Sequence, residues 1–290
     1  MTNGTERDGI TQIYKTKASG DEWYIGDDLK ADSRVEVRGS YRKPFNGGFH
    51  NGAADGGNPP TFRVVVSQKN GYDDDMTQTL AENRTEAAQK GYLQDKDDWT
   101  NYEMTGYFKV KHTDKSDQLT MYGRGGKHDD KHGDKVMCQG SAYKARMAFD
   151  GKPDLAKEYY HQNGDGYQYS GSGRDFPDGP VHKNIGSIMN KWIGMKTCVY
   201  NLSNSNVKIE IWVDDSMSED GSTTQNRWEK IYEIRDSGQM GRKMFPVDTC
   251  GAPTQSQIFN WGGPQVIYRI DNIKDMDFQK FSVREIGSLH

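Results

Sequence analysis

The chain has 290 residues, of which 33% are hydrophobic and 28% charged, with a formal net charge of -4. That balance supplies no global positive field for nucleic acid or an anionic membrane, so an anionic partner must be met by a local basic cleft. No apolar run approaches the roughly 20 residues that a membrane helix needs, and 16 tyrosines with 6 tryptophans argue against disorder.

In chain order, period-two alternation begins at Ser33–Tyr41, where Val35 and Val37 oppose Arg34, Glu36 and Arg38. A glycine-rich loop follows, then a strand over Thr61–Gln68. The stretch Met76–Gly91 reads as a helix stopped by Gly91. In Tyr102–His112, Met104, Phe108 and Val110 oppose Thr105, Tyr107, Lys109 and Lys111. A further strand is expected over Gln118–Arg124. The loop Gly125–Asp134 carries His128, Asp129, Asp130 and His132. Its lysines repel cations and it lacks a third spaced histidine, so it is expected to border a cleft rather than hold a metal.

In Ser141–Phe149, Lys144 and Arg146 share one face while Tyr143, Ala145, Met147 and Phe149 share the other. In Lys157–Gln162, Tyr159 and His161 likewise share a face. Further strands are expected over Trp192–Leu202, Val207–Asp215, Trp228–Asp236, Gln265–Asn272 and Phe278–Ile286, with Val207, Ile209, Ile211 and Val213 on one side of the second of these. About a dozen half-apolar strands without a linker or a fixed repeat predict one all-β domain over 1–286, a two-sheet antiparallel sandwich with long polar loops. Residues 287–290 read as an appended tail. Cys138, Cys198 and Cys250 lack zinc spacing; either Cys198 pairs with Cys250 or all three are free thiols.

The run from Lys191 to Asp215, followed by Arg227–Asp236 and the closing Met276–Ile286, resembles laminin-G or concanavalin-like jelly rolls. A second resemblance is to the jelly-roll polysaccharide lyases of the alginate or glucuronan type. One branch of these carries Arg-x-Glu-x-Arg, present here as Arg34, Glu36 and Arg38. Another carries Gly-Gly-Lys, then Ser-x-Arg, then Tyr-x-Tyr. Here stand a Gly-Gly-Lys ending at Lys127, Lys144 and Arg146 with lysine in the serine position, and Tyr159 and His161 with histidine in the second tyrosine position.

The resemblance implies β-elimination on a uronate-containing polysaccharide. Such a reaction needs a cation or amide to neutralise the carboxylate, a base for the C5 proton and an acid for the departing O4 oxygen. Arg146, Lys127 and Lys144 are the expected carboxylate groups, and Tyr159 or His161 the proton-transfer groups. Arg124, Tyr122, Arg34, Glu36, Arg38 and Tyr200 are the expected substrate-binding groups. No cofactor is required. Asp27, Asp28, Asp271, Asp275 and Asp277 offer a structural calcium site of a kind seen in proteins of this fold. The expected partner is an acidic polysaccharide met by a secreted monomer.

A rival expectation is a non-catalytic carbohydrate-binding module, with Trp23, Trp99, Trp212 and Trp261 stacking on sugar rings; an adhesion domain is a third. Glu210 and Asp214 lie four residues apart on one strand, about 13 Å by the usual rise. Retaining hydrolysis needs two carboxyls about 5 Å apart, which disfavours a glycosidase built on that pair.

Overall fold

The computed structural model describes residues 4–24, 35–38, 48–51, 62–65, 77–83, 99–113, 118–125, 142–159, 167–171, 175–240, 258–262, 265–271 and 273–288. Its strands, β1 to β16 in chain order, form two sheets, and every pairing between them is antiparallel. The seven-stranded sheet runs β10 (Tyr167–Tyr169), β9 (Pro153–Glu158), β8 (Ala142–Ala148), β7 (Gln118–Gly125), β15 (Gln265–Asp271), β5 (Thr77–Asn83), β2 (Val35–Arg38). The nine-stranded sheet runs β11 (Val181–His182), β14 (Glu229–Asp236), β13 (Val207–Asp214), β12 (Ile193–Asn201), β6 (Tyr102–Thr113), β16 (Ile273–Glu285), β4 (Phe62–Val65), β3 (Gly48–Asn51), with β1 (Glu22–Tyr24) also on β16.

The core between the sheets follows from the alternation. Met104, Phe108, Val110, Ile209, Ile211 and Val213 are all buried in one cluster with Leu119, Met121, Tyr143 and Met147 from the facing sheet. Each strand buries one face against the other layer, so the apolar residues fall at every second position. Val35 and Val37 lie on β2, but their side chains are outside the described residues. Where the sheets need room, glycine supplies it. A Cβ on Gly106 would sit 2.8 Å from the Phe281 ring, which stacks on Tyr268 with centroids 4.3 Å apart.

Two expectations are corrected. The start of the expected helix, Thr77–Asn83, is strand β5, paired with β15 on one side and β2 on the other. Two ladders of backbone hydrogen bonds outweigh the modest helix preference of its Leu, Ala and Glu. Cys198 is a free, buried thiol, so the Cys198–Cys250 pairing is not made; Cys138 and Cys250 lie outside the described residues.

Over β6, β12 and β16 the nine-stranded sheet is buried on its outer side as well, because residues 4–24 pack against it there. Glu6 reaches between the strands, pairs with Lys196, and accepts hydrogen bonds from Thr105 Oγ1 at 3.0 Å and Ser282 Oγ at 2.6 Å. Glu103 completes the network, at 2.8 Å from both Lys196 Nζ and Arg284 Nη2. It also accepts from the Ile13 and Tyr14 amides at 3.2 and 2.9 Å. Burial opposes the Glu103 charge, yet Lys196 and Arg284 hold its carboxyl below the usual range. Burial likewise opposes the Lys196 charge, and Glu103 and Glu6 overcome it. Unpaired charges at such depth would be prohibitively costly, so the network fixes the segment's position.

Candidate functional site

The outer face of the seven-stranded sheet carries a cleft lined from β7, β8, β9, β10 and β15. On β8, Tyr143, Ala145 and Met147 turn into the core, which leaves Lys144 and Arg146 on the outer face. A tight turn at Asp150 and Gly151 returns the chain as β9 and sets the register, opposing Arg146 to Asp154 and Lys144 to Ala156. Across the sheet, the pairings define two neighbouring rows. One runs Arg38, Thr79, Arg269, Thr120, Arg146, Asp154; the other runs Glu36, Ala81, Ile267, Tyr122, Lys144, Ala156, Tyr169. From β10 to β2 the second row crosses six strand spacings, roughly 29 Å at about 4.8 Å each.

The cleft has a volume of about 120 Å³ and is lined by Gln118, Thr120, Lys144, Arg146, Ala156, Tyr169 and Arg269. Its floor is Ala156, whose methyl group leaves space between the larger side chains around it. Arg146 Nε donates to Asp154 Oδ1 at 2.6 Å and its Nη2 to Oδ2, a bidentate pair. The same guanidinium lies over the Tyr169 ring, 4.7 Å from its centroid. Lys144 repeats the arrangement: its Nζ is 2.6 Å from Glu158 Oε2 and 4.6 Å from the centre of the Tyr122 ring. Each cation is thus held by a carboxylate from β9 and an aromatic face.

Of the residues singled out from sequence, Lys144, Arg146 and Tyr122 are brought together here. Glu36 and Arg38 occupy the same two rows at the far side of the sheet. Arg34, Lys127, His161 and the loop histidines His128 and His132 lie outside the described residues, as do Asp27 and Asp28. Asp277, from the expected calcium set, forms an ion pair with Lys111.

Four expectations are corrected. Tyr159 does not share the groove with Lys144 and Arg146: it is fully buried in the core, its ring edge-on to Phe259 at 5.3 Å and its hydroxyl donating to the Met240 carbonyl. Leu155, Lys157 and Tyr159 form the inner face of this segment. Lys157 tolerates that position because its Nζ is 2.6 Å from Asp236 and within 4.7 Å of the Tyr159 and Phe259 rings. Burial nevertheless pulls the Lys157 ammonium down to about 8. Arg124 also faces inward. Gly123 and Arg124 together oppose Val266 in a bulge, with Arg124 at φ 68°, and Arg124 Nη1 donates to Phe259 O at 2.6 Å and Asn201 Oδ1 at 2.7 Å. The extra residue breaks the alternation that would have put Arg124 beside Tyr122. Tyr200 belongs to the other sheet, packed under Tyr14 with its hydroxyl donating to Glu210 at 3.2 Å. Trp23 and Trp99 are buried and offer no stacking face.

Tyr169, Arg269, Asp154 and Glu158 were not singled out from sequence. The first had a signal, since Tyr167-Gln168-Tyr169 carries the Tyr-x-Tyr spacing that Tyr159 and His161 meet only in part. The carboxylates had none, because their roles depend on the register of the β8–β9 hairpin.

No family model and no curated protein matches the sequence. Among solved structures, the chain is similar to the Emp46p carbohydrate recognition domain in its potassium-bound form, at 9% identity over 91% of this chain and 97% of that one, TM-score 0.43. It is similar to the endo-β-1,4-glucuronan lyase of the fungus Trichoderma reesei, at 9% identity over 96% and 93%, TM-score 0.38. It is also similar to alginate lyase vAL-1 from Chlorella virus, at 11% identity over 88% and 95%, TM-score 0.37. With every TM-score below 0.5, these likenesses assign no residue a role.

Proposed function

We propose that the outer face of the seven-stranded sheet binds an acidic polysaccharide across its strands and cleaves it by β-elimination at the cleft. The observation that carries this is the convergence of Arg146, Arg269, Lys144, Gln118, Thr120 and Tyr169 on one cleft from four strands. Guanidinium and amide groups are suited to a carboxylate whose charge grows as C5 loses its proton. Tyr169, against Arg146, is the proton-transfer group of this site: its phenolate oxygen takes the C5 proton, the C4–C5 double bond forms as the C4–O4 bond breaks, and the phenol so formed passes its proton to the departing O4 oxygen. Arg146, held flat by Asp154, keeps the guanidinium oriented through the step.

Incubation with alginate, glucuronan, pectate and a glycosaminoglycan, followed by the ultraviolet absorbance of unsaturated uronate products, tests the reading. A rise on at least one polymer is expected. One observation favours a second reading, binding without cleavage: Arg146 and Lys144 are each engaged by a carboxylate of the protein itself. Measurable affinity with no absorbance change would select it.

A further inference from the structure

The lining of the cleft includes the cations Arg146, Lys144 and Arg269, and acids of β9 bind the first two. Asp154 takes two donors of Arg146, and Glu158 takes Lys144. Asp154 is partly open to solvent, with 27% of its side chain exposed, whereas Glu158 is fully buried. The arrangement costs the cleft attraction for anions in general, because each acid offsets a charge a few ångströms from the place a ligand would occupy. In return, each cation has a fixed plane or position: Arg146 lies over Tyr169 and Lys144 over Tyr122.

Resting on the reading of the cleft as a uronate site, we propose that Asp154 and Glu158 act as a charge-density filter. They hold Arg146 and Lys144 in place for a planar carboxylate while cancelling the excess positive field that would draw in sulfated polymers. A uronate unit carries one carboxylate and an apolar ring face, and an oriented guanidinium beside a tyrosine matches both. A sulfated chain carries more charge per sugar and is recognised by accumulated positive potential, which the two acids remove. The substrate class is therefore a polyuronate bearing one carboxylate per residue. Asp154 is a positioning and selectivity residue, acting through Arg146.

The test compares wild type, Asp154→Asn and Asp154→Glu, each checked for folding by circular dichroism, in affinity for an alginate oligosaccharide and for heparin at low and moderate salt. Wild type is expected to prefer the oligouronate. Asp154→Asn should gain at least about tenfold in heparin affinity with a steeper salt dependence, and lose preference for the oligouronate. Asp154→Glu, which keeps the charge, should behave as wild type. A merely structural role for Asp154 would weaken both ligands together. An unchanged ratio of the two affinities in Asp154→Asn, with wild type binding the oligouronate, would overturn the filter and leave the uronate site standing. Wild type that binds heparin in preference to every uronate would overturn both.

Discussion

Substituting Glu6 by glutamine would test whether the segment over the nine-stranded sheet is locked by charge. The change preserves size but leaves Lys196 and Arg284, both fully buried, sharing the single carboxylate of Glu103. Breaking a buried pair by removing one partner costs about 3–5 kcal/mol, because the remaining charge cannot return to water. The amide still accepts from Ser282 or Thr105, which places the expected loss toward the lower end of that range. For a chain of this size the loss corresponds to a fall in Tm on the order of 6–10 °C. Thermal and urea unfolding, followed by tryptophan fluorescence, would measure it. A companion double variant, Glu6→Gln with Lys196→Met, should recover part of the loss, since it removes the surplus cation together with its partner. A loss below about 1 kcal/mol in the single variant, or no recovery in the double, would refute the view that the network holds the segment in place.

Further outcomes are expected at the cleft and in the core. Ala156→Leu should fill the cleft floor and abolish polysaccharide binding while costing only about 1–3 kcal/mol, by overpacking; retained affinity in a folded variant would move the site elsewhere. Glu158→Gln should destabilise more than Asp154→Asn in urea unfolding, because Lys144 and Glu158 are almost wholly buried and Asp154 is not. Burial raises the hydroxyls of Tyr102, Tyr107, Tyr143 and Tyr232 above the ordinary tyrosine range, with Asp214 and Asp236 adding to the rise for Tyr107 and Tyr143. With folded values above unfolded ones, their contribution is complete below the unfolded value, about 10, and is lost as pH rises beyond it. Alkaline titration should therefore show these tyrosines ionising only together with unfolding; tyrosinate absorbance from all 16 tyrosines near pH 10 with the fold intact would contradict this.

How much was legible in the sequence differs from strand to strand. β13 and β6 alternate apolar and polar residues, so Ile209, Ile211, Phe108 and Val110 could be assigned to the core directly. On β8 the same parity correctly separated Lys144 and Arg146 from Tyr143 and Met147. On β9 it misled, because Lys157 is on the inner face, where Asp236 and three aromatic rings accept it. Tyr159, expected in the groove with His161, follows Leu155 and Lys157 onto that inner face. Arg124 was misplaced by a bulge that no local signal marks, and Tyr200 by a covering segment nearly two hundred residues away in the chain. Alternation reports which residues share a face; it does not report whether that face meets solvent, another sheet or the chain's own N-terminal segment.

Binding and cleavage of a uronate polymer at the cleft on the seven-stranded sheet is the proposal on which the rest depends. The most direct measurement is steady-state turnover and affinity on the best uronate polymer for wild type, Arg146→Ala, Tyr169→Phe and, as a control on the other sheet, Trp212→Ala. Tyr169→Phe is expected to lower kcat by about two to four orders of magnitude with affinity little changed. Arg146→Ala should lower both, and Trp212→Ala should alter neither. Full turnover in Tyr169→Phe and Arg146→Ala, or loss confined to Trp212→Ala, would contradict the proposal.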